Sequence, residues 1–564
     1  MLTFARKPGE GLPLRGVRLS QAEESERFAI ITPMGFLKQL QMYARYGMGL
    51  PGFLRRTITL ADAEALVRRG IEQRDENFLS LIERGVFGYP QSPHARLMRL
   101  ARCEMGDLRD MVRRQGLRPA LRSLREAGVY VSFEEFKGRT PIVRHGESFL
   151  AESGDFDNPL LRSGYQTTTG GSTGVGMRQQ QDLEHHAMQS AHLMLHFDAH
   201  GVLDCPFAVW RGTLPDNSGM NNVLRSAHHG RIVEKWYSPR ELDEKPPEFR
   251  FLVGTYGTVL ISHLVGRGLP WPRKVPIGQA IVLAEWMRDR LKSHGVCLVS
   301  TSVSRALRVS IAAREAGIDL SGGAFLIAGE PPSPAKVAGI VASGARILTN
   351  YGFSEGGRVA VGCANPSSAT DMHVLRDAFE VTPWERQVPG TDAVVSALNV
   401  TSLLLTTPKI LLNAEMDDYG VVEDRPCGCP LERLGYQQHL SEVHSFRKLT
   451  GEGVTLVGSD MLDILERVLP ARFGGSALDY QLLEEEDEKG FTRLSLLISP
   501  RVQIADESEV VPAILAALDQ SSIMGSGTRA IWAQAGTLRV QRREPILTGR
   551  GKLMPLHLER KRPN

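Results

Sequence analysis

Val296-Cys297-Leu298-Val299-Ser300, Ala324-Phe325-Leu326-Ile327-Ala328 and Arg346-Ile347-Leu348-Thr349-Asn350 are three short runs that alternate with segments of helical spacing. The spacing predicts helices over Ala280–Ser293, Ser304–Gly317 and Pro332–Ser343, with the three runs as strands between them. Helices of this length between buried strands imply right-handed βαβ units and a parallel sheet. Ligands in such sheets bind beyond the carboxyl ends of the strands. Gly329-Glu330-Pro331 and Tyr351-Gly352-Phe353-Ser354-Glu355 both fall there.

Upstream of this block, the first 140 residues or so read as helical. Thr59-Leu60-Ala61-Asp62 has the form of a capping box, and Leu66, Val67, Ile71, Phe78 and Ile82 follow at helix-compatible spacing. Downstream, a smaller unit begins near Ser445. Its pattern predicts helices over Asp460–Leu469 and Glu507–Asp519, and strands over Tyr480–Glu485, Phe491–Ser499 and Thr537–Gln541. The expected fold is therefore α/β. A large N-terminal domain carries the parallel βαβ sheet and a helical N-terminal region, and a small, mobile α+β lid follows at the C-terminus. The boundaries expected are 1–140 for the helical region, 141–444 for the main core and 445–564 for the lid. A chain of 564 residues exceeds what a single core supports, which agrees with several units.

Composition narrows the function classes. The net charge of +3 is negligible at this size and argues against a dedicated nucleic-acid surface. No run reaches the ~18 apolar residues of a membrane span, and the first residues lack the apolar core of a secretory signal. Six cysteines make no disulfide scaffold. The expectation is a cytoplasmic protein with neither membrane nor nucleic-acid partner.

Between Thr167 and Gly176 hydroxyl side chains interleave with glycines: Thr167-Thr168-Thr169-Gly170-Gly171-Ser172-Thr173-Gly174-Val175-Gly176. Glycine lets the backbone approach a ligand and aim successive N–H groups at it, and the hydroxyls add short donors that suit phosphate oxygens. The same stretch satisfies Gly-x-Ser-x-Gly, which would make Ser172 a hydrolase nucleophile. That elbow needs a buried apolar strand before it, whereas Ser163–Thr169 is mostly polar. The Gly-Lys-Ser/Thr ending of a Walker loop is absent.

Further along stand Asn350-Tyr351-Gly352-Phe353-Ser354-Glu355, then Glu415-Met416-Asp417-Asp418-Tyr419-Gly420, and finally Gly549-Arg550-Gly551-Lys552. In this order the four pieces resemble the signature set of the adenylate-forming (acyl-activating) superfamily. Leu124–Val129, Phe136-Lys137-Gly138-Arg139, Ala328-Gly329-Glu330-Pro331 and Cys427-Gly428-Cys429-Pro430 are similar to its phenylacetate-CoA ligase-like branch. The resemblance implies activation of a carboxylic acid by Mg-ATP to an acyl-adenylate. The acyl group then passes to the thiol of coenzyme A or of a carrier-protein phosphopantetheine. It further implies that Thr168, Thr169, Gly170, Gly171, Ser172, Thr173 and Gly174 cradle the pyrophosphate and that Glu355 holds Mg²⁺. Tyr351 would pack near the adenine, flanked by Gly329 and Glu330, and Asp418 would accept from the ribose hydroxyls. Lys552 would enter the closed site as the catalytic lysine, with Arg550 a rival in the same loop. A small carboxylic acid is the expected partner, an acyl carrier protein a further one, and a homodimer an allowed assembly.

Three positions depart from the family pattern. Arg178 is the only cation near the end of the phosphate loop, Asp417 stands where glycine usually precedes the aspartate, and the hinge consensus is unrecognisable within Val443–Gly453. These departures keep open a second class, a binding protein built on an adenylation fold. Among other clusters, His185, His192, His196 and His200 share a helix face at a spacing that allows metal ligation but lacks a carboxylate or Cys partner, and Trp210, Trp236 and Tyr237 lie where the family builds its acyl pocket, with core packing the expected role of at least two of them. Cys363, His373, Cys427 and Cys429 form a Cys₃His set suited to structural zinc, although Cys-x-Cys is tighter than the usual Cys-x₂-Cys.

Overall fold

The computed structural model describes residues 33–161, 164–168, 178–239, 248–387, 394–445, 461–486, 492–519, 538–548 and 551–559. Its centre is a parallel sheet. Among the described residues its strands run in the order Arg346–Leu348, Gly323–Ile327, Cys297–Thr301, Phe207–Trp210, Lys235–Ser238 and Pro272–Lys274. Every neighbouring pair is parallel. The helices between them, Ile281–His294, Val303–Glu315 and Pro334–Val341, lie within a few residues of the ranges expected from the spacing.

Side chains on the inner strands alternate between two cores. Val209, Trp236, Leu298, Ala324 and Leu326 face Phe197 and Leu224 on one side. Ala208, Val299, Phe325 and Ile327 face Leu283, Met287 and Leu307 on the other. Both faces are thus covered, which is why these strands read as apolar runs rather than as alternating ones. Each fully buried Val, Leu, Ile, Phe or Met among them contributes about 1.5–3 kcal/mol.

The helical region precedes this sheet as Pro33–Arg55, Leu60–Glu72, Arg74–Ile82, Pro93–Leu100, Met105–Gln115 and Leu117–Glu126. The capping box at Thr59 is present: Asp62 N donates to Thr59 Oγ1 at 3.1 Å, and Thr59 N donates to Asp62 Oδ2 at 2.9 Å. Val67, Phe78 and Ile82 are buried, and Leu66 and Ile71 pack at the margin of the same core.

That core is shared with an antiparallel sheet that the sequence pattern did not reveal. Its strand order is Asn350–Phe353, Gly357–Gly362, Met372–Val374, Gln438–Ser445, Ala414–Asp424, Val394–Ser402 and Phe379–Gln387. Buried polar residues interrupt its apolar alternation, each answered by a partner. Arg74 and Arg118 both donate to the buried Glu380 carboxylate, and Gln438 Nε2 donates to Val381 O at 3.0 Å. Arg125 donates to Asn399 Oδ1 at 2.6 Å and Glu415 Oε1 at 2.5 Å, with its guanidinium stacked between the rings of Tyr130 and Trp384. These ties clamp the helical region to the sheet.

Among the described residues the C-terminal unit forms a mixed four-stranded sheet in the order Leu538–Arg542, Thr492–Ile498, Tyr480–Glu486 and Leu556–Glu559. Helix Val510–Asp519 covers it, with Val510 and Ile514 in the core. The segment expected as one helix from residue 460 is Met461–Phe473, with a wider turn over Ile464–Val468.

Candidate active site

Two strand ends of the parallel sheet deliver the residues singled out above. Gly329 and Glu330 follow Gly323–Ile327, and Asn350–Phe353 follows Arg346–Leu348. Tyr351 Oη donates to Asp418 Oδ2 at 2.8 Å. Burial, and then the charge of Asp418, hold the phenol well above its ordinary pKa, so it remains a donor. Asp418 stands opposite Ser445, the last described residue before position 461. The pair therefore sits at the end of the strand leading toward the C-terminal unit.

The residue before Asp418 explains one departure. Asp417 has φ +68°, a left-handed conformation in which glycine is unstrained and aspartate is among the few tolerated alternatives. Ser445 Oγ donates to Asp417 Oδ2 at 3.3 Å.

Glu355 lies on the turn between Asn350–Phe353 and Gly357–Gly362 and is 5% exposed. Lys137 Nζ donates to its Oε1 at 2.6 Å. Sequence reasoning missed Lys137 as the partner of this carboxylate. The available signal was a lysine directly after the capped turn Ser132–Phe136, beside two aromatic rings. Its ammonium lies 5.1 Å from the Phe133 centroid and 5.6 Å from that of Phe136.

Lys552 bridges the two units. Its Nζ donates to the carbonyl of Gly329 at 2.7 Å. Its backbone is tied to Thr548: Thr548 N donates to Lys552 O at 2.9 Å, and Lys552 N to Thr548 Oγ1 at 3.1 Å. Gly329 has φ +88°, and a methyl there would meet Lys552 Nζ at 3.0 Å. Glu330 turns the other way. Its Oε2 accepts from Ser304 N at 2.9 Å and Ser304 Oγ at 2.6 Å, at the start of helix Val303–Glu315, a favourable place for a carboxylate. The structure shows no side-chain bond between Glu330 and Tyr351.

A second bridge is fully charged. Lys336 Nζ lies 2.7 Å from Glu466 Oε1, and Ser333 Oγ donates to the other oxygen, with both ionic side chains 5% exposed. Burial opposes the charge on Lys336, but Glu466 and Glu330 hold its pKa above the ordinary value. Lys336 belongs to the main domain and Glu466 to the core of the C-terminal unit.

Thr169, Gly170, Gly171, Ser172, Thr173, Gly174 and Arg550 lie outside the described residues. The flanks of the loop are two antiparallel strands, Gly164–Thr168 and Arg178–Asp182, with Thr168 opposite Arg178. A nucleophile elbow passes from strand directly into helix, so these flanks disfavour the hydrolase reading of Ser172. Trp210, Trp236 and Tyr237 are at most 4% exposed and form core. His185, His192, His196 and His200 belong to no metal-compatible group among the described residues, and His192 instead pairs with buried Asp377 at 2.7 Å. Cys363, His373, Cys427 and Cys429, in contrast, bring one donor atom each to within 4.8 Å of one another. No helix among the described residues is long and apolar enough to cross a membrane.

No family model and no curated protein matches the chain. Solved structures do. The chain is similar to ATP-bound MatB from Rhodopseudomonas palustris, at 10% identity and TM-score 0.38, over 69% of this chain and 66% of that one. It is similar to the anthranilate CoA ligase AuaEII in complex with anthranoyl-AMP, at 10% identity and TM-score 0.40, over 78% and 75% of the two chains. It is also similar to 2-hydroxyisobutyryl-CoA ligase in the postadenylation state, at 13% identity and TM-score 0.47, over 87% of this chain and 90% of that one.

Proposed function

We propose that this chain is an AMP-forming acid–thiol ligase of the phenylacetate-CoA ligase-like kind. It uses Mg-ATP to convert a carboxylic acid to an acyl-adenylate and then forms a thioester on coenzyme A or a carrier-protein phosphopantetheine. The observation that carries the reading is Lys552, whose ammonium crosses from the C-terminal unit to the carbonyl at a strand end of the parallel sheet. A cation delivered by a separate unit to a ligand edge suits a reaction in which two anions must be brought together.

In the first step an oxygen of the substrate carboxylate attacks the α-phosphorus of ATP, and the bond to pyrophosphate breaks. Lys552 offsets the charge that accumulates as the anions meet, from a position already beside Gly329. Asp418 accepts from the ribose hydroxyls, with Tyr351 fixing its carboxylate. Thr168 to Gly174 receive the pyrophosphate on backbone and hydroxyl donors. Glu355 is a buried hard carboxylate and fits Mg²⁺, which when bound would neutralise phosphate charge. Lys137 holds Glu355 in place through Oε1. In the second step the thiol sulfur attacks the acyl carbonyl and AMP leaves. A homodimer fits this reading as well.

ATP–pyrophosphate exchange with a panel of aliphatic and aromatic acids, repeated with coenzyme A, tests the proposal. Exchange with at least one acid, and AMP release that grows with thiol, is expected. A chain that binds ATP yet exchanges with no acid in a broad panel would point to the binding-protein class instead.

A further inference from the structure

We propose that Cys363, His373, Cys427 and Cys429 form a closed structural zinc centre that pins the antiparallel sheet at the end remote from Glu355 and Asp418. Zn–S bonds of about 2.3 Å and Zn–N bonds of about 2.0–2.1 Å put the donors of a tetrahedron about 3.5–3.8 Å apart. The four donor atoms here lie within 4.8 Å of each other, with His373 Nε2 at 3.0 Å from Cys429 Sγ and 3.6 Å from Cys427 Sγ. His373 and Cys429 are buried to within 2% of full exclusion and Cys363 to within 3%, whereas Cys427 is half-buried. A set of three soft sulfurs and one imidazole selects zinc over the hard cations.

The surroundings are arranged as a metal requires. His373 Nδ1 is committed to the carbonyl of Tyr436 at 2.7 Å, which fixes the tautomer and leaves Nε2 with its lone pair facing the thiols. Two of the sulfurs accept backbone amides, Cys363 from Asn365 N at 3.3 Å and Cys427 from Cys429 N at 3.5 Å, as thiolates do. The short Cys427-Gly428-Cys429 spacing works because Gly428 has φ +73° and opens onto free space, so both sulfurs turn to one point. Glu432 Oε2 accepts from Cys427 N at 2.9 Å and Gly428 N at 2.5 Å, and Asn365 Nδ2 donates to Cys427 O at 2.6 Å, which hold that turn against the Cys363 loop.

The location gives the centre its purpose. Cys363 directly follows strand Gly357–Gly362, and His373 sits on Met372–Val374. The two remaining ligands lie in the connection between Ala414–Asp424 and Gln438–Ser445. Glu355 precedes the first of these strands, and Asp418 lies on the strand before the connection. One ion would therefore tie together the strands that present the nucleotide-site carboxylates, without touching the nucleotide.

The test is metal content of the full chain after dialysis against a mild chelator, which reads out independently of catalysis. About one zinc per chain is expected. Cys427→Ser and Cys429→Ser should each fall below about two tenths, whereas Cys103→Ser and Cys205→Ser, remote thiols, keep the metal. Stoichiometric release of zinc on mercurial titration of wild-type thiols gives the same answer if a variant fails to fold. Cobalt substitution should produce tetrahedral d–d and sulfur charge-transfer bands. Stripping the zinc should lower Tm by at least about 5 °C and restoring it should recover that loss. Folded wild-type chain with less than a few tenths of a zinc, a disulfide among these cysteines, or iron in place of zinc would overturn the proposal.

Discussion

Replacing Lys552 with alanine removes one charge-assisted hydrogen bond at 2.7 Å between the C-terminal unit and Gly329 O. The contact is near the surface, so its loss from the resting structure costs about 1 kcal/mol, and Tm should move by a few degrees at most. In the transition state of the proposed adenylation the same ammonium would face charge that did not exist before. Loss of one such donor costs ~10²–10³ in rate, or about 2.7–4 kcal/mol. Lys552→Ala should therefore reduce ATP–pyrophosphate exchange by two to three orders of magnitude, leave ATP binding unchanged, and leave transfer from synthetic acyl-AMP to thiol near normal. Gly329→Ala should follow in the same direction. Its φ of +88° strains any Cβ, and that Cβ would stand 3.0 Å from the ammonium. Lys561→Ala serves as the control for a merely basic tail. Near-normal exchange in Lys552→Ala with loss in Arg550→Ala would move the role to Arg550, and normal exchange in both would refute the assignment of this loop.

The buried Lys336–Glu466 pair couples the same docking to electrostatics. Glu466→Gln strands the Lys336 ammonium at a cost of about 3–5 kcal/mol unless the C-terminal unit undocks. Exchange should therefore slow while thiol transfer from acyl-AMP does not, and equal slowing of both would contradict a docking role. Asp417→Gly should be nearly neutral in urea denaturation, whereas Asp417→Val should lose about 1–2 kcal/mol at φ +68°; equal stability of the two variants would exclude backbone strain there. Burial lowers His94 to about 4, and burial with nearby positive charge lowers His185 and His229 to about 3. The unfolded chain, with ordinary values near 6.5, then binds more protons below that pH. Stability should be fully present above pH 6.5 and fall progressively toward pH 3–4, and a flat urea midpoint between pH 6.5 and 4.5 would sink this account.

Legibility of the fold followed from what each segment buries. The inner strands of the parallel sheet are covered by helices on both sides, so Val299, Phe325 and Leu326 announce themselves as apolar runs, and the helices between them carry their own spacing. The antiparallel sheet stayed hidden because its interior contains Glu380, Asn399, Thr401 and Gln438, whose partners come from as far away as Arg74 and Arg125. No local pattern encodes a polar group that is satisfied 300 residues away. The site divides along the same line. Tyr351, Glu355, Asp418 and Lys552 could be picked out because their neighbours in sequence form short motifs. Lys336 and Glu466 could not, since each acquires its meaning only from a charge that folding places beside it, and Lys137 stood in a quoted motif without any hint of its partner Glu355. Asp417 lies between these cases. Its departure from glycine looked like a loss until the positive φ showed that the backbone, rather than the side chain, sets what the position accepts. The catalytic reading thus depends less on the phosphate-loop glycines than on two long-range contacts, Lys552 to Gly329 and Lys336 to Glu466. Both join the C-terminal unit to the carboxyl-end edge of the parallel sheet. Measuring the two half-reactions separately in Glu466→Gln asks directly whether the buried ion pair at that junction serves chemistry or only docking.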